Sequence, residues 1–356
     1  MRRRLLAHYD ASRRSLPWRK TRDPYRILVS EFMLQQTTVA AVIPHYRRFV
    51  RCFPRLESLA SAGEEDVLAQ WAGLGYYARA RRLWQACREL TQVHGGRFPE
   101  GATDLARLPG IGPYTAGAIS SIAFDHPEPA VDGNVTRVLS RLLASRGRGA
   151  AEARRMREAA ARLVAGNRPG DVNQALMELG ATLCTPRSPA CQRCPLRRSC
   201  LARREGRPGY YPLPPPRPKS ERRHGCVVVC QNRQGGVYLV RRPVRGSLPG
   251  LWDLPGISGY DAGESAPPQR AVEKAAVAQL GCPVRLGRPL TRVRHTVMNR
   301  RIVVEVRQGR FHRGRSPQVR GAGAGSVRVH TFLEENGARG LTAGSRKVLE
   351  AMERLR

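Results

Sequence analysis

The sequence predicts a two-domain protein, a mostly α-helical part followed by an α+β part, and three observations carry that prediction. Up to residue 183 the apolar residues recur at helical spacing and no convincing strand is visible. Residues 203–224, RREGRPGYYPLPPPRPKSERRH, hold six prolines between Pro208 and Pro218, a composition that forms no packed core and reads as a semi-rigid linker. Beyond it come short runs rich in Val, Ile and Tyr, separated by Gly and Asn. A chain of 356 residues is in any case too long for one ordinary core. The expected division is 1–205, a linker over 206–224, and 225–356.

Lys and Arg number 62 against 28 Asp and Glu, a net charge of +34 spread along the chain. That favours a polyanionic partner through counterion release, with nucleic acid the first candidate. The competing reading is a biased use of Arg that leaves only a solvated surface. No run of about 18 apolar residues argues for a membrane span. Met1-Arg2-Arg3-Arg4 is basic, but no apolar segment follows it as in a secretory signal. An intracellular protein is expected. Cysteines in such a compartment are not expected to form disulfides, and Cys52, Cys87, Cys226, Cys230 and Cys282 read as packed thiols.

Residues 10–30 mix basic and aromatic side chains between prolines. A helix is expected to start at Glu31, with Ser30 as its N-cap and apolar positions running through Val39, Val42 and Ile43. Glu31 reads either as a dipole-stabilising surface acid or, if Phe32, Met33 and Leu34 carry it inward, as a general acid of raised pKa. Helices follow over 56–125, broken at Trp71-Ala72-Gly73-Leu74-Gly75-Tyr76-Tyr77, after which Arg79, Arg81 and Arg82 suit a nucleic-acid surface. Leu108-Pro109-Gly110-Ile111-Gly112 leads into a small-residue helix, so the amides of Gly110, Ile111 and Gly112 are expected to face an anion such as phosphate. Asp132, in Val131-Asp132-Gly133-Asn134-Val135, is an isolated acid or simply a turn residue. Residues 150–183 are again helical.

Cys184, Cys191, Cys194 and Cys200 follow the spacing C-x6-C-x2-C-x5-C, which suits one metal site or cluster. Only Cys191 and Cys194 form the close knuckle that zinc ribbons use twice, so a cluster is the better reading and zinc the alternative. Arg187, Arg193, Arg197 and Arg198 surround these thiols. After the linker, Cys226–Cys230 and Val237–Val240 read as a β-hairpin, Arg301–Val306 and Val327–Val329 as strands, and 268–280 as a helix.

Ser30 to Thr37, Gly73-Leu74-Gly75-Tyr76-Tyr77, the Leu108 to Gly112 hairpin, Val131 to Val135 and the spaced cysteines together resemble the MutY family of adenine DNA glycosylases. The resemblance is dense over residues 1–205 and looser beyond. It implies a helix-hairpin-helix glycosylase domain with a [4Fe-4S] cluster on Cys184, Cys191, Cys194 and Cys200, and a Nudix-like C-terminal domain. It implies removal of adenine mispaired with 8-oxoguanine or guanine, with double-stranded DNA as partner. Glu31 then protonates N7 of the adenine, and Asp132 stabilises or transiently bonds C1′, the two carboxyl groups that an oxocarbenium-like state calls for. Tyr114 and Asn134 orient this pair. Gly110, Ile111 and Gly112 hold a flanking phosphate, while Gln36, Thr37, Leu74 and Tyr76 enter the duplex or meet the opposite base. Trp18, Arg19, Gln174 and Glu178 fall in or beside the adenine pocket.

Three departures refine the expectation. Endonuclease III-type relatives carry a Schiff-base lysine where this chain has Tyr114, so monofunctional hydrolysis is expected rather than strand cleavage. A lyase of that type and a non-catalytic DNA-binding relative are the alternatives. Gly250 to Gly256 matches the Nudix-like domain, yet Lys274 to Gly281 lacks the Glu-rich metal box, so no nucleotide hydrolysis is expected. The family's Phe-Ser-His lesion-sensing loop is replaced by Val297-Met298-Asn299, which implies weaker dependence on 8-oxoguanine or reliance on His295 and Asn299.

Overall fold

The computed structural model of the chain describes residues 1–213, 220–243, 248, 250–259, 263–297, 299–312, 317, 326–330 and 341–354. The chain falls into two compact units, Met1–Pro215 and Pro216–Arg356. In the first unit every regular element among the described residues is helical. These are α1 (Arg2–Ser12), α2 (Pro24–Leu34), α3 (Val39–Cys52), α4 (Leu56–Ala60), α5 (Glu64–Trp71), α6 (Ala78–Val93), α7 (Ala102–Leu105), α8 (Pro113–Phe124), α9 (Gly133–Leu142), α10 (Gly149–Val164), α11 (Pro169–Thr182) and α12 (Leu201–Arg204).

The helix expected to begin at Glu31 begins a full two turns earlier. Asp23 caps α2 by accepting from the Tyr25 amide at 3.0 Å, and Pro24 occupies the first helical position, where its missing N–H costs nothing. Ser30 is therefore no cap; its hydroxyl donates back to the Ile27 carbonyl at 2.8 Å. Nor does the helix run on to Ile43. It stops at Leu34, Gln36 takes a left-handed φ of 56°, and Thr38 caps α3. This extra two turns of α2 carry Glu31 into the interior.

Phe49 packs edge-on against Trp71, with ring centroids 5.9 Å apart, and Leu28, Phe32 and Met33 of α2 are buried nearby in sequence and space. A second core joins Leu5 and Tyr9 of α1 to Val138, Leu139, Leu176 and Leu179, so the N-terminal helix closes against α9 and α11. Helix α8 lies against both α2 and α11 and thereby spans the two groups. Gly180 makes the α9–α11 approach possible: a Cβ there would stand 2.7 Å from the Asn134 Cβ.

The proline-rich stretch is not wholly a linker. Pro208–Tyr210 forms a 3₁₀ turn, Tyr211 is buried, and its carbonyl accepts from Arg141 Nε at 3.0 Å. At the other end, Glu221–His224 already belong to the first strand. Prolines that preset φ favour such an ordered turn as readily as a spacer.

Among the described residues the second unit has two sheets, β4-β1-β6-β5 and β3-β2-β7, formed by β1 (Glu221–Cys230), β2 (Val237–Arg241), β3 (Trp252–Asp253), β4 (Gly256–Ile257), β5 (Val284–Val297), β6 (Arg300–Phe311) and β7 (Val327–His330). The expected β1–β2 hairpin is not formed. Only an isolated bridge, Gln231 to Val237, joins them, because β1 pairs in parallel with β6 while β2 pairs with β3 and β7. Both faces of β1 are covered: Val227 and Val229 meet α14 (Ala343–Glu353), and Val228 and Cys230 meet α13 (Gln269–Leu280). That explains its continuous apolar run.

Candidate active site

One cavity of about 700 Å³ in the first unit gathers most of the expected residues: Trp18, Arg19, Glu31, Gln36, Thr37, Tyr114, Asp132, Asn134, Gln174 and Glu178 all line it. Glu31 reaches it from the C-terminal half of α2 and is only 5% exposed. Its Oε2 is buried without a hydrogen-bond partner. Burial pushes the Glu31 carboxyl up to about 7; a hydrogen bond from Tyr114 pulls the other way, the nearby Asp132 adds to the rise, and Arg19 opposes it. Glu31 therefore keeps its proton close to neutral pH, as a general acid must.

Asp132 is the N-cap of α9 and differs from Glu31 in every respect. Its Oδ1 accepts from the Val135 amide at 2.7 Å and its Oδ2 from Asn134 Nδ2 at 2.8 Å. These two donors fix the orientation of its carboxyl group. Asn134 is held in turn, its Oδ1 accepting from Arg137, which also donates to the carbonyls of Gly180 and Cys184 at 2.8 Å each. Tyr114, on the first turn of α8, stands beside both carboxyl groups, and its hydroxyl also reaches Met177 Sδ at 3.6 Å. Burial raises its own pKa well above 10.0, so it stays a neutral donor.

Glu178, expected in or beside the adenine pocket, lines the cavity with its carboxyl already engaged. Both its oxygens are taken, by Arg14 Nε and an Arg14 terminal nitrogen and by Arg19, each at 2.8 Å. Burial pushes its pKa up, but those hydrogen bonds outweigh it and bring the carboxyl down to about 2. It is an anchor that aims Arg19 into the cavity. Trp18 is buried edge-on to Tyr46, centroids 5.4 Å apart, and forms wall.

The other expected contacts lie outside the cavity. Gly110 takes a left-handed φ of 75° and a Cβ there would sit 2.6 Å from Arg82 Cβ, so glycine is required for this turn. The amides of Gly110 and Gly112 have no internal acceptor among the described residues, but that of Ile111 donates to the Leu108 carbonyl at 3.1 Å. Ile111 closes the turn and offers no amide to an anion. Tyr76 is 50% exposed, whereas Leu74 is 7% exposed and belongs to the core. Leu74 thus has no open route to a duplex in this conformation.

Cys184, Cys191, Cys194 and Cys200 line one small cavity with Arg141, Arg197 and Arg203. Arg141 donates to Cys184 Sγ at 3.3 Å and to the carbonyls of Thr185 and Pro186 at 2.7 and 3.1 Å. Among the described residues no three His, Cys, Asp or Glu side chains are gathered as a single ion would need. Four thiols lining this one cavity are a donor set that an iron–sulfur cluster can use.

In the second unit His295 is buried, not presented. Period-two alternation along β5 turns Val293 and His295 inward together. Burial lowers the His295 pKa, and Lys347 lowers it further against the opposing pull of Asp253. Asn299 follows β5 and its carbonyl accepts from the Glu221 amide at 2.9 Å; Met298 lies outside the described residues. Along α13, Glu273 accepts from the Leu286 amide and Gln279 bonds both backbone groups of Gly256.

Arg14 and Arg137 were not singled out from sequence, and Arg79, expected on a nucleic-acid surface, is instead buried at 8% exposure. A basic chain hides them among many arginines. Arg79 and Arg81 both stand in the first turn of α6, where cations are disfavoured.

Comparison with known proteins agrees with this geometry. Residues 29–165 match the model of the HhH-GPD superfamily of base excision DNA repair proteins, and residues 226–351 match the NUDIX domain. The adenine DNA glycosylase of Rattus norvegicus is 40% identical, with 74% of this chain and 61% of that protein covered. That of Schizosaccharomyces pombe is 37% identical, with 71% of this chain and 68% of that protein covered. Among solved structures, a thermostable thymine-DNA glycosylase is 30% identical with a TM-score of 0.52, covering 57% of this chain and 95% of that one. The chain spans only about three fifths of the rat protein's length, 61%. No helix among the described residues is long and apolar enough to cross a membrane. At 37% identity to a relative covered over 68% of its length, the chain belongs to the adenine DNA glycosylase family.

Proposed function

We propose that this chain is a monofunctional adenine DNA glycosylase that hydrolyses the N-glycosidic bond of adenine mispaired with guanine or 8-oxoguanine. The observation that carries the reading is the pair in one cavity: Glu31 buried with its proton retained to about 7, facing Asp132 held by two donors. An acid that keeps its proton and a second carboxyl group in one cavity are the pair that hydrolysis of a bond to a sugar calls for.

The adenine leaves the duplex and enters the cavity, at a cost that is least at a mismatch. Glu31 gives its proton to N7, and the C1′–N9 bond breaks with its electron pair moving to the base. Asp132 faces the positive charge left at C1′, or bonds to it, until water adds there and loses a proton. Tyr114 then donates to the ionised Glu31. Asn134, steadied by Arg137, keeps Asp132 oriented. Gly110 and Gly112 offer their amides to the phosphate beside the flipped nucleotide. Trp18, Arg19 and Gln174 bound the base, and Gln36, Thr37 and Tyr76 meet the duplex around it.

The four cysteines would hold a [4Fe-4S] cluster, which supplies a structural cross-brace rather than chemistry on the base. Arg141 and Arg137 tie its loop to α9. Residues 225–356 serve as a reader of the opposite base, joined by the proline-rich stretch. The work of such an enzyme belongs at the nucleoid of a bacterial cytoplasm, and the chain acts as a monomer.

The test is single-turnover incubation with an A:8-oxoguanine duplex, with and without borohydride. Free adenine without a trapped protein–DNA adduct is expected. Near-stoichiometric trapping would instead favour the lyase reading, in which an amine attacks C1′.

A further inference from the structure

Arg79 has no part in the mechanism above. It stands in the first turn of α6, at the positive end of the helix dipole, with no acid in that turn to offset it. It is 8% exposed and has no carboxylate partner among the described residues. A buried guanidinium without a counter-charge is costly unless hydrogen bonds replace its water. One terminal nitrogen donates to the carbonyls of Phe32 and Met33 at 3.0 Å each, to that of Gln35, and to Thr37 Oγ1 at 3.2 Å. The other donates to the carbonyls of Leu74 and Gly75 at 3.1 and 3.2 Å. One arm thus caps the negative end of α2, and the other grips the loop before α6.

Both gripped segments are strained and both end in an exposed tip. Gln36 at φ 56° and Tyr76 at φ 47° are non-glycine residues in the left-handed region, a conformation that persists only when its surroundings enforce it. The Gln36 side chain is exposed, and Tyr76 is 50% exposed with its ring centroid 5.6 Å from the Arg79 guanidinium. An amide suits a base edge and an aromatic ring suits stacking. Glu31 is one and two residues before the α2 carbonyls that Arg79 holds.

We propose that Arg79 is a positioning residue that ties the Gln36 and Tyr76 tips to the end of the Glu31 helix, so that one guanidinium sets both duplex engagement and excision. The inference rests on the glycosylase reading and deepens it, since Arg79 itself touches neither base nor sugar.

A double-mutant cycle of Arg79→Lys with Tyr76→Ala tests it, read as the single-turnover rate constant for adenine release from an A:G duplex and as duplex affinity. Lysine keeps the charge but has no fork to reach both segments. Each single substitution is expected to slow release about tenfold, and the pair to be slower than Arg79→Lys alone by less than about twofold. Losses that multiply overturn the proposal. A merely structural role lowers the active fraction and leaves the rate constant of the surviving enzyme unchanged, which also overturns it. Should Arg79→Lys fail to fold, the cycle of Gln36→Ala with Tyr76→Ala on intact Arg79 replaces it, with coupled losses expected and multiplicative ones contradictory. Failure of the glycosylase reading is separate: the unaltered protein then releases no adenine, and the same cycle is scored on duplex affinity alone.

Discussion

Replacing Glu31 by Gln should stabilise the protein at alkaline pH while removing its chemistry, and the size of the effect follows from its burial. The carboxyl is pushed from an ordinary 4.5 up to about 7 because its charged form has lost its water. The folded state therefore holds this proton more tightly than the unfolded chain does. Stability from this group is highest at low pH, falls as pH rises from about 4.5, and levels off above about 7. A shift of ~2.5 units at ~1.4 kcal/mol per unit gives a penalty of about 3 kcal/mol on the alkaline side. Gln fills the same space and never ionises, so the variant lacks that slope. Urea unfolding at fixed salt should show the stability gap between variant and parent widening by about 2–3 kcal/mol from about pH 5 to about pH 8. A gap that is equal at both ends would falsify the picture of a buried, protonated Glu31. The same proton governs the rate, so adenine release should fall about tenfold per pH unit above about 7.

Tyr114→Phe removes the hydrogen bond that favours ionised Glu31, so the midpoint of the pH–rate profile should move upward; a downward move contradicts that role. Arg137→Gln breaks the link from Asn134 to the Gly180 and Cys184 carbonyls, and single-turnover release should drop about tenfold with duplex affinity nearly unchanged. Cys184→Ser should abolish an absorbance band near about 400 nm and lower the melting temperature, whereas one equivalent of zinc in the parent would rule out the cluster. With His295 buried, release opposite guanine and opposite 8-oxoguanine should differ by only a few-fold, and a preference of several hundred-fold would overturn that.

The helical first unit was legible because caps, glycines and apolar periodicity agree with one another there; the four-cysteine spacing stands out by itself, whereas roles for Glu31 and Asp132 follow only from the family resemblance. Local signals failed where two compete. Ser30 before an apolar run looked like a cap, yet Asp23-Pro24 is the stronger start and draws Glu31 into the interior. The Leu74 and Ile111 positions fit a motif, but a motif does not say which side chain packs inward or which amide closes its own turn. In the second unit the Val227 and Val237 runs read as neighbours because they are close in sequence, whereas the long-range partner β6 wins β1. Strand β5 went unseen because Gly287 and Pro289 interrupt its pattern; the structure absorbs them as register shifts between Leu286 and Thr291. Glu178 could not be sorted from sequence at all, since its two arginine partners lie more than 150 residues away in the chain.

The most direct measurement is single-turnover adenine release by the parent, Glu31→Gln, Asp132→Asn and the double variant on one A:8-oxoguanine duplex. Groups that act as a unit on one nucleoside should each cost nearly as much as both together, roughly a thousandfold or more. Either single variant retaining parental rates, or losses that simply multiply, would contradict joint action by Glu31 and Asp132.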